Sequence, residues 1–268
     1  MIKLMIVEVI KMCLLAMALN VHPIYKLIIC ANRDEFFSRP TKRPYYWEEV
    51  PNVWAGKDLL KGGTWMGVHR NGKVAAVTNV REYPNGLRGE AEYSRGKLVL
   101  DFLTTSVRVN EYLTQLELSE TQFEGYNLIF GQKDEWFYMS NRAKKTKLKQ
   151  GFHVVSNADL QTDWPKTVRM KEKFKIICQT NEQEQLFIEL CMNMLRDDEL
   201  FHDSELPDTG IGMKRERQLS SIFINGRTYG TRASTIILMD SEGRMKFVEQ
   251  GYGPEGVKLK RIEKEWSQ

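Results

Sequence analysis

Cys13 follows Met12 at the start of a short apolar run, MCLLAMAL. If translation begins at Met12, we expect that methionine to be removed because cysteine is small, and Cys13 then becomes the first residue. A free α-amine has an unperturbed pKa of about 7.7–8.0, so it can accept the thiol proton near neutral pH without a histidine. The thiolate can then attack a carbonyl carbon, and the amine returns the proton to the leaving group. The sequence therefore predicts a nucleophilic cysteine; the alternative is a Met-Cys pair that merely opens a strand.

Four polar residues with the sequence NRDE come directly after a second apolar run, LIICA. Polar side chains at the end of a buried strand must be hydrogen-bonded or exposed. In an extended chain Asn32 and Asp34 share one face, and Arg33 and Glu35 share the other. Asp34 could orient the α-amine of Cys13, and Arg33 could favour the thiolate and lower its pKa. The alternative is an ion-paired strand end.

Further polar residues close other apolar runs. Asn79 follows VAAVT and Asn157 follows HVVS, and a fixed side-chain amide at such a position can donate a hydrogen bond to an oxyanion. A GGTW segment and a GTRAST segment complete this group of candidates, with Gly63, Thr64, Trp65, Arg232 and Ser234. Polar residues at strand ends also serve as caps or turn formers, and that alternative stays open.

Composition limits the class of function. The 268 residues include 39 basic and 35 acidic side chains, and a net charge of +4 is too small and too dispersed to predict a nucleic-acid surface. The four cysteines have no paired spacing, and three of them lie inside apolar runs, so we expect no disulfide framework and a reducing cytoplasm. The four histidines are far apart, so no metal site is predicted.

The first nineteen residues, MIKLMIVEVIKMCLLAMAL, could be taken for a signal peptide. Glu8 and Lys11 interrupt the apolar stretch, no small-residue cleavage site follows it, and it is too short and too charged to span a bilayer. Codons for residues 7–12 can contain GGAGGUGAU, a strong bacterial ribosome-binding sequence, just before the Met12 codon. We therefore expect translation to start at Met12, with 1–11 a misassigned leader and 12–268 a single domain. An intact Met1 in the native protein would contradict this.

The order of predicted elements is strands, then helices, then strands. The apolar runs between residues 12 and 31 predict a pair of strands, and Asn-Gly at 71–72 predicts a tight hairpin turn. We predict a long loop at 38–56, a helix within 94–116 capped by Ser94, amphipathic helices at 164–178 and 181–196, and strands from 220 to 252. This order favours one α+β domain with layered sheets.

Seven motifs occur in order along the chain: MCLLAMAL, ANRDEFFSRPT, GGTWMG, VAAVTN, HVVSNA, TDWPK and YGTRASTIIL. Together they resemble the NRDE family, also called the transport and Golgi organisation 2 (TANGO2) family, from Met12 to about Tyr252. The most specific match is ANRDEF followed by RPT. The family begins with Met-Cys, which agrees with a start at Met12, and the leader suggests a bacterial member.

This family is similar to the N-terminal-nucleophile hydrolases, so the resemblance implies an α+β fold that is a four-layer αββα sandwich. The motif order is similar to that of choloylglycine hydrolases and penicillin V acylases. By that similarity the candidate catalytic residues are Cys13 as nucleophile, Asp34 as partner of its amine, Asn79 as oxyanion donor, Asn157 as a substrate or amine contact, and Arg232 near the thiolate. In those acylases an Arg stands three residues before the Asp, where this chain has Ala31, so Arg33 departs from the pattern.

Two functions from different classes follow. The first is a cysteine amidase or acylase acting on a linear, non-peptide C–N bond. The second is a non-catalytic binding or trafficking protein for haem or acyl-CoA-like lipids, in line with the biology associated with the family; no CxxCH haem motif occurs, and His22 has the pattern of a turn residue.

For either function we expect an acidic, partly apolar small-molecule ligand, no resident cofactor, no nucleic acid partner and no transmembrane segment. The oligomeric state is not predicted. The candidate ligand-binding residues are Asn32, Glu35, Arg39, Gly63, Thr64, Trp65, Trp164 and Ser234.

Overall fold

The computed structural model describes residues 12–81, 91–180 and 182–267, and the expected leader at 1–11 lies outside them. The strands, in chain order, are β1 (Met12–Leu19), β2 (Tyr25–Phe36), β3 (Thr41–Tyr46), β4 (Val53–Asp58), β5 (Met66–His69), β6 (Val74–Asn79), β7 (Tyr126–Gln132), β8 (Glu135–Ser140), β9 (Thr146–Lys147), β10 (Gly151–Val155), β11 (Tyr229–Asp240), β12 (Arg244–Tyr252) and β13 (Lys258–Ser267). The α-helices are α1 (Gly96–Thr104), α2 (Val109–Ser119), α3 (Pro165–Cys178), α4 (Glu184–Leu195) and α5 (Met213–Gln218).

Two antiparallel sheets form the centre of the molecule. The first has the strand order β10-β1-β2-β11-β12-β13, and the second has the order β3-β4-β5-β6-β7-β8-β9. β1 and β2 form the predicted pair, with Cys13 opposite Arg33 and Met12 opposite Asp34. The NRDE segment therefore belongs to the last part of β2, in a central strand of the first sheet.

Side-chain alternation along the strands separates three apolar cores. On β1, Leu14 and Ala16 face α3 and α4, whereas Leu15 and Met17 face the second sheet. On the far side of the second sheet, Phe102 of α1 packs in a third core with residues of α2. The layers therefore run helices, sheet, sheet, helices, and the predicted α+β, four-layer αββα sandwich is confirmed.

Some local predictions were wrong. Segment 38–56 contains β3 and β4 rather than a loop, and Pro44 lies where their register shifts, on an edge strand that tolerates a missing N–H. Ser94 does not cap α1, whose N-cap residue is Arg95 without a side-chain cap. Residues 220–226 form no strand. The hairpin turn at 71–72 is confirmed, with Gly72 at φ 90°.

The strand ends that carry the candidate site residues lie at one edge of the sandwich. Because neighbouring strands are antiparallel, β1, β11 and β13 begin at this edge, and β2 and β12 end there. In the second sheet β3 begins, and β4 and β6 end, at the matching edge. This geometry brings the NRDE segment, Asn79 and the start of β1 to one place.

Candidate functional site

A cavity of about 330 Å³ opens between the two sheets at this edge. Nine of the residues singled out from the sequence line it: Cys13, Arg33, Asp34, Glu35, Arg39, Thr64, Trp65, Asn79 and Arg232. Among the described residues, seven basic and four acidic side chains line the cavity, so its wall carries an excess of positive charge. Such a wall favours an anionic ligand.

The Cys13 thiol lies in the cavity wall and is only 7% exposed. Burial, together with the nearby charge of Asp34, raises the pKa of the thiol to about 12, although Arg33 and a backbone hydrogen bond from Asp34 act in the opposite direction. In the chain that includes Met12, the nitrogen of Cys13 is an amide and cannot accept a proton. The thiol is therefore protonated in this form, and a free amine at Cys13 would be the base that it lacks.

Asp34 lies on β2 opposite Met12. If Met12 were removed, the free α-amine of Cys13 would be at this level of the sheet. Asp34 Oδ1 accepts a 2.6 Å hydrogen bond from Thr231 Oγ1, and the Thr231 hydroxyl in turn accepts one from the Ile224 N–H. Burial raises the pKa of Asp34 to about 6, while Thr231 and the charge of Lys166 lower it. The carboxylate is thus held in one orientation beside the backbone of Cys13.

Arg33 and Arg232 lie on adjacent strands at the cavity. The Arg33 side chain is 12% exposed, and its one ion-pair partner in the described chain is Glu35, at 4.0 Å, with no hydrogen bond. Arg232 is the extra residue of a register shift between Thr231 and Ala233. Its guanidinium donates to the carbonyls of Phe36 and Arg39, so it holds the loop that follows β2.

The two predicted asparagines have different positions. Asn79 lines the cavity at the end of β6, whereas Asn157 is buried beside it and does not line the cavity. The Asn157 amide donates to the backbone oxygen of Asn79 at 2.9 Å, and the hydroxyl of the preceding Ser156 donates to the backbone oxygen of Cys13 at 3.1 Å. Segment 156–157 therefore fixes the backbone of both Cys13 and Asn79.

Four predicted ligand-binding residues do not line the cavity. Asn32 and Ser234 face the helical layer, where Asn32 bonds to the carbonyls of Leu195 and Ile222 and accepts a hydrogen bond from Ser234. These hydrogen bonds place both side chains in the helical layer behind the cavity. Trp164 lines a separate, very small pocket next to Arg81, and Gly63 packs against backbone.

Gly63 is a position where two backbone segments touch. A Cβ atom there would lie 2.5 Å from the carbonyl carbon of Gly96, so an added side chain must displace the start of α1. We expect Gly63→Ala to lower the free energy of unfolding by about 1–3 kcal/mol in urea titrations. Gly253→Ala is the control, since a Cβ there first meets Val257 O at 3.9 Å. An unchanged stability with weakened ligand binding would instead support the binding role predicted from the sequence.

Lys166 is a functional candidate that the sequence reasoning missed, although it belongs to the quoted TDWPK motif. It lies in the first turn of α3, where a cation is disfavoured by the helix dipole, and it is 3% exposed. Its Nζ donates to the Leu219 carbonyl at 3.1 Å. Burial lowers its pKa to about 7, Arg81 acts in the same direction, and Asp34, Cys13 and Glu216 oppose them.

Arg95 is the second residue that was missed. It lines the cavity, donates to Gly125 O at 3.1 Å and forms a 2.9 Å ion pair with Glu124. Burial lowers its pKa, while Glu124 and Cys13 act in the opposite direction. Because a lysine or arginine in a polar segment usually lies in solvent, neither residue carries a local signal. Only the tertiary fold reveals them.

Across residues 12–81, 91–180 and 182–267, no group of three or more His, Cys, Asp or Glu side chains is placed to hold a metal ion. In the same parts of the chain no helix is long and apolar enough to cross a membrane. All four cysteines, including Cys13, are unpaired thiols. The side chains that line the cavity carry thiol, carboxylate, amide, hydroxyl, ammonium and guanidinium groups.

Comparisons with known proteins agree with this architecture. The family model described as Transport and Golgi organisation 2 matches residues 12–254. The human Transport and Golgi organization protein 2 homolog is 31% identical over 262 residues, which cover 89% of this chain and 92% of that protein. The Drosophila melanogaster Transport and Golgi organization protein 2 is 28% identical, with coverage of 87% and 89%.

Among solved structures, the Caenorhabditis elegans N-acylethanolamine-hydrolyzing acid amidase ortholog is similar with a TM-score of 0.50. The likeness covers 84% of this chain and 92% of that chain at 15% identity, and it supports the fold alone. The motif order, the sandwich and the match over residues 12–254 lead to the same family. This chain therefore belongs to the Transport and Golgi organisation 2 family.

Proposed function

We propose that this protein is an N-terminal-nucleophile cysteine hydrolase that cleaves a non-peptide amide C–N bond, after removal of Met12 exposes the amine of Cys13. The observation that carries the proposal is that Cys13, Asp34 and Asn79 line one cavity, although they come from three strands in two sheets. A family match that covers the Met-Cys pair, beginning at residue 12, supports it further.

In the proposed reaction the α-amine of Cys13 takes the thiol proton, and the ionised Asp34 stabilises the resulting ammonium. The thiolate forms a bond to the amide carbon, and the Asn79 side chain supports the negative oxygen of the tetrahedral intermediate. The ammonium gives its proton to the leaving nitrogen as the C–N bond breaks. Water, activated by the same amine, then hydrolyses the thioester and releases the acid and the free thiol.

The proposed substrate is an acyl amide with an anionic group. The structural neighbour from C. elegans is named for hydrolysing N-acylethanolamines, which makes acyl amides the natural first class to test. The anionic group is suggested by Arg33, whose nearly buried guanidinium has no hydrogen-bond acceptor among the described residues. A guanidinium on the cavity wall that has no hydrogen-bond acceptor can bind a carboxylate or phosphate bidentately.

The second candidate is a carrier that binds an acyl-CoA-like anion in the same cavity without turnover, which the excess of basic lining residues favours. Haem fits the described residues less well, because no histidine or methionine is among those that line the cavity. His22 accepts hydrogen bonds from the N–H groups of Ile24 and Tyr25 and so closes a turn. No step of the reaction involves haem.

The test begins with a chain expressed from Met12, with intact mass used to verify that Cys13 is N-terminal. We expect this protein to release fatty acid from N-acylethanolamines or from N-acyl amino acids, with faster turnover of the anionic amides. Cys13→Ala should abolish turnover, whereas Cys178→Ala, which removes a thiol from the helical core, should retain it. If no amide turns over and Cys13→Ala still binds a fluorescent acyl-CoA with unchanged affinity, the carrier function replaces the hydrolase.

A further inference from the structure

Four exposed apolar side chains lie on two segments that border the cavity, and we call them the apolar rim: Leu59, Leu60, Val257 and Leu259. Their exposed fractions are 55%, 60%, 60% and 50%. Leu59 and Leu60 lie in the connection between β4 and β5, whereas Val257 directly precedes β13 and Leu259 is the second residue of that strand. Soluble proteins rarely group so many large apolar side chains without a partner for them.

Several contacts bring the two parts of the rim to the same cavity. Asp58, directly before Leu59, lines the cavity, and so does Leu259 itself. The Leu59 N–H donates to Pro40 O at 3.0 Å, which ties its loop to the start of β3. From the same strand, the Arg43 guanidinium donates to the Lys260 carbonyl on β13. Both parts of the rim therefore lie on segments that are tied to β3 and border the cavity.

Exposed lysines accompany the rim. In the sequence Lys61 follows Leu60, and Lys258 and Lys260 flank Leu259. None of the three lysines forms an ion pair with a described residue. The acidic groups close by are already neutralised, since Asp58 pairs with Arg39 at 2.6 Å and Glu255 pairs with Arg227 at 2.7 Å. The surface beside the cavity is thus both apolar and cationic.

We propose that this rim docks on an anionic lipid bilayer, so that an amphiphilic ligand passes from the membrane into the cavity. Large apolar side chains interleaved with lysines are the combination that inserts into the headgroup region and is attracted by acidic lipids. A nucleic acid surface would use the charge but would leave the leucines without an apolar environment. The proposal concerns the delivery of this ligand to the cavity and does not depend on the hydrolase reaction.

The experiment measures partition of the full chain onto phosphatidylcholine vesicles with and without phosphatidylserine, by co-sedimentation at low and high salt. We expect binding to the vesicles with phosphatidylserine, weakened by salt. The double variant Leu59→Ser, Leu60→Ser should weaken it about tenfold, because two apolar side chains no longer insert. The triple variant Lys61→Gln, Lys258→Gln, Lys260→Gln should weaken it by about fivefold for each lysine removed.

The matched control is Leu118→Ser, Leu186→Ser, which removes two leucines of 85% and 47% exposure that lie on helices away from the cavity. This control should bind vesicles like the unaltered chain, and circular dichroism should show that every variant is folded. Absence of binding at low salt, or an equal loss in rim and control variants, overturns the proposal. Rim-dependent self-association in gel filtration without vesicle binding would also overturn it, and would reassign the rim to an interface between copies of the chain.

Discussion

Replacing Asp34 with Asn is expected to lower kcat/KM for amide hydrolysis by about 10²-fold or more in the chain that begins at Cys13. Asparagine keeps the size of the side chain and can still contact Thr231, but it has no negative charge to stabilise the ammonium. The control is Asp58→Asn, which removes another carboxylate from the cavity wall, one that pairs with Arg39. A loss of activity in Asp58→Asn as large as in Asp34→Asn would contradict a specific role for Asp34.

The pH dependence of the same reaction tests how Asp34 is kept charged. Its pKa is raised to about 6, chiefly by burial, and the positive charges of Lys166 and Arg33 counteract that rise, whereas Glu35 adds to it. A free ammonium at Cys13 would bring the pKa of Asp34 down from this value. We therefore expect the rate to decrease as the pH drops below about 6, because the carboxylate then takes up a proton.

Lys166→Met should move this acid limb to higher pH, because removal of a nearby positive charge makes Asp34 easier to protonate. Lys166→Arg should restore most of the original profile if the new guanidinium reaches Leu219 O. The other charged groups facing Lys166 are Arg81 and Glu216, which pair with each other at 2.6 Å and are unchanged in both variants. If Lys166→Met lowers stability but leaves the pH profile in place, Lys166 has a purely structural role.

The second large effect is expected for the stability of Asn32→Ala. The Asn32 side chain bonds to Leu195 O at 2.7 Å and to Ile222 O at 2.8 Å, and it accepts from Ser234 Oγ at 2.6 Å. Its loss leaves three buried polar groups without a partner, at about 1–3 kcal/mol for each group that water cannot reach. We therefore expect the free energy of unfolding to fall by about 3 kcal/mol or more in urea titrations.

Ser234→Ala is the matched control for this prediction, because it removes a single member of the same network. It should cost about 1 kcal/mol, since both amide bonds of Asn32 survive. Should Asn32→Ala keep its stability while ligand binding is lost, the ligand-binding role expected from the sequence would be the better description.

The family resemblance implied the order of the layers, and the sequence singled out nine of the 25 described residues that line the cavity, because polar residues at strand ends are a local signal. Arg33 and Glu35 line the cavity on the face that alternation assigns to them. Alternation alone does not decide which residues reach the cavity, because Asn32 and Asp34 share one face and only Asp34 lines it, while Asn32 bonds to Leu195 O in the helical layer. Lys166 and Arg95 could not be found, because their burial depends on elements far away in the chain.

Because of the register shift at Arg232, this residue of the cavity wall takes no part in the strand pairing. The residue has no partner on β2, and the pairing resumes with Ala233 opposite Arg33. A substitution there alters the cavity wall and the loop that follows β2, but it leaves the pairing of the central strands intact. During divergence of the family, ligand preference can therefore change at this one position while the register of β2 and β11 stays the same.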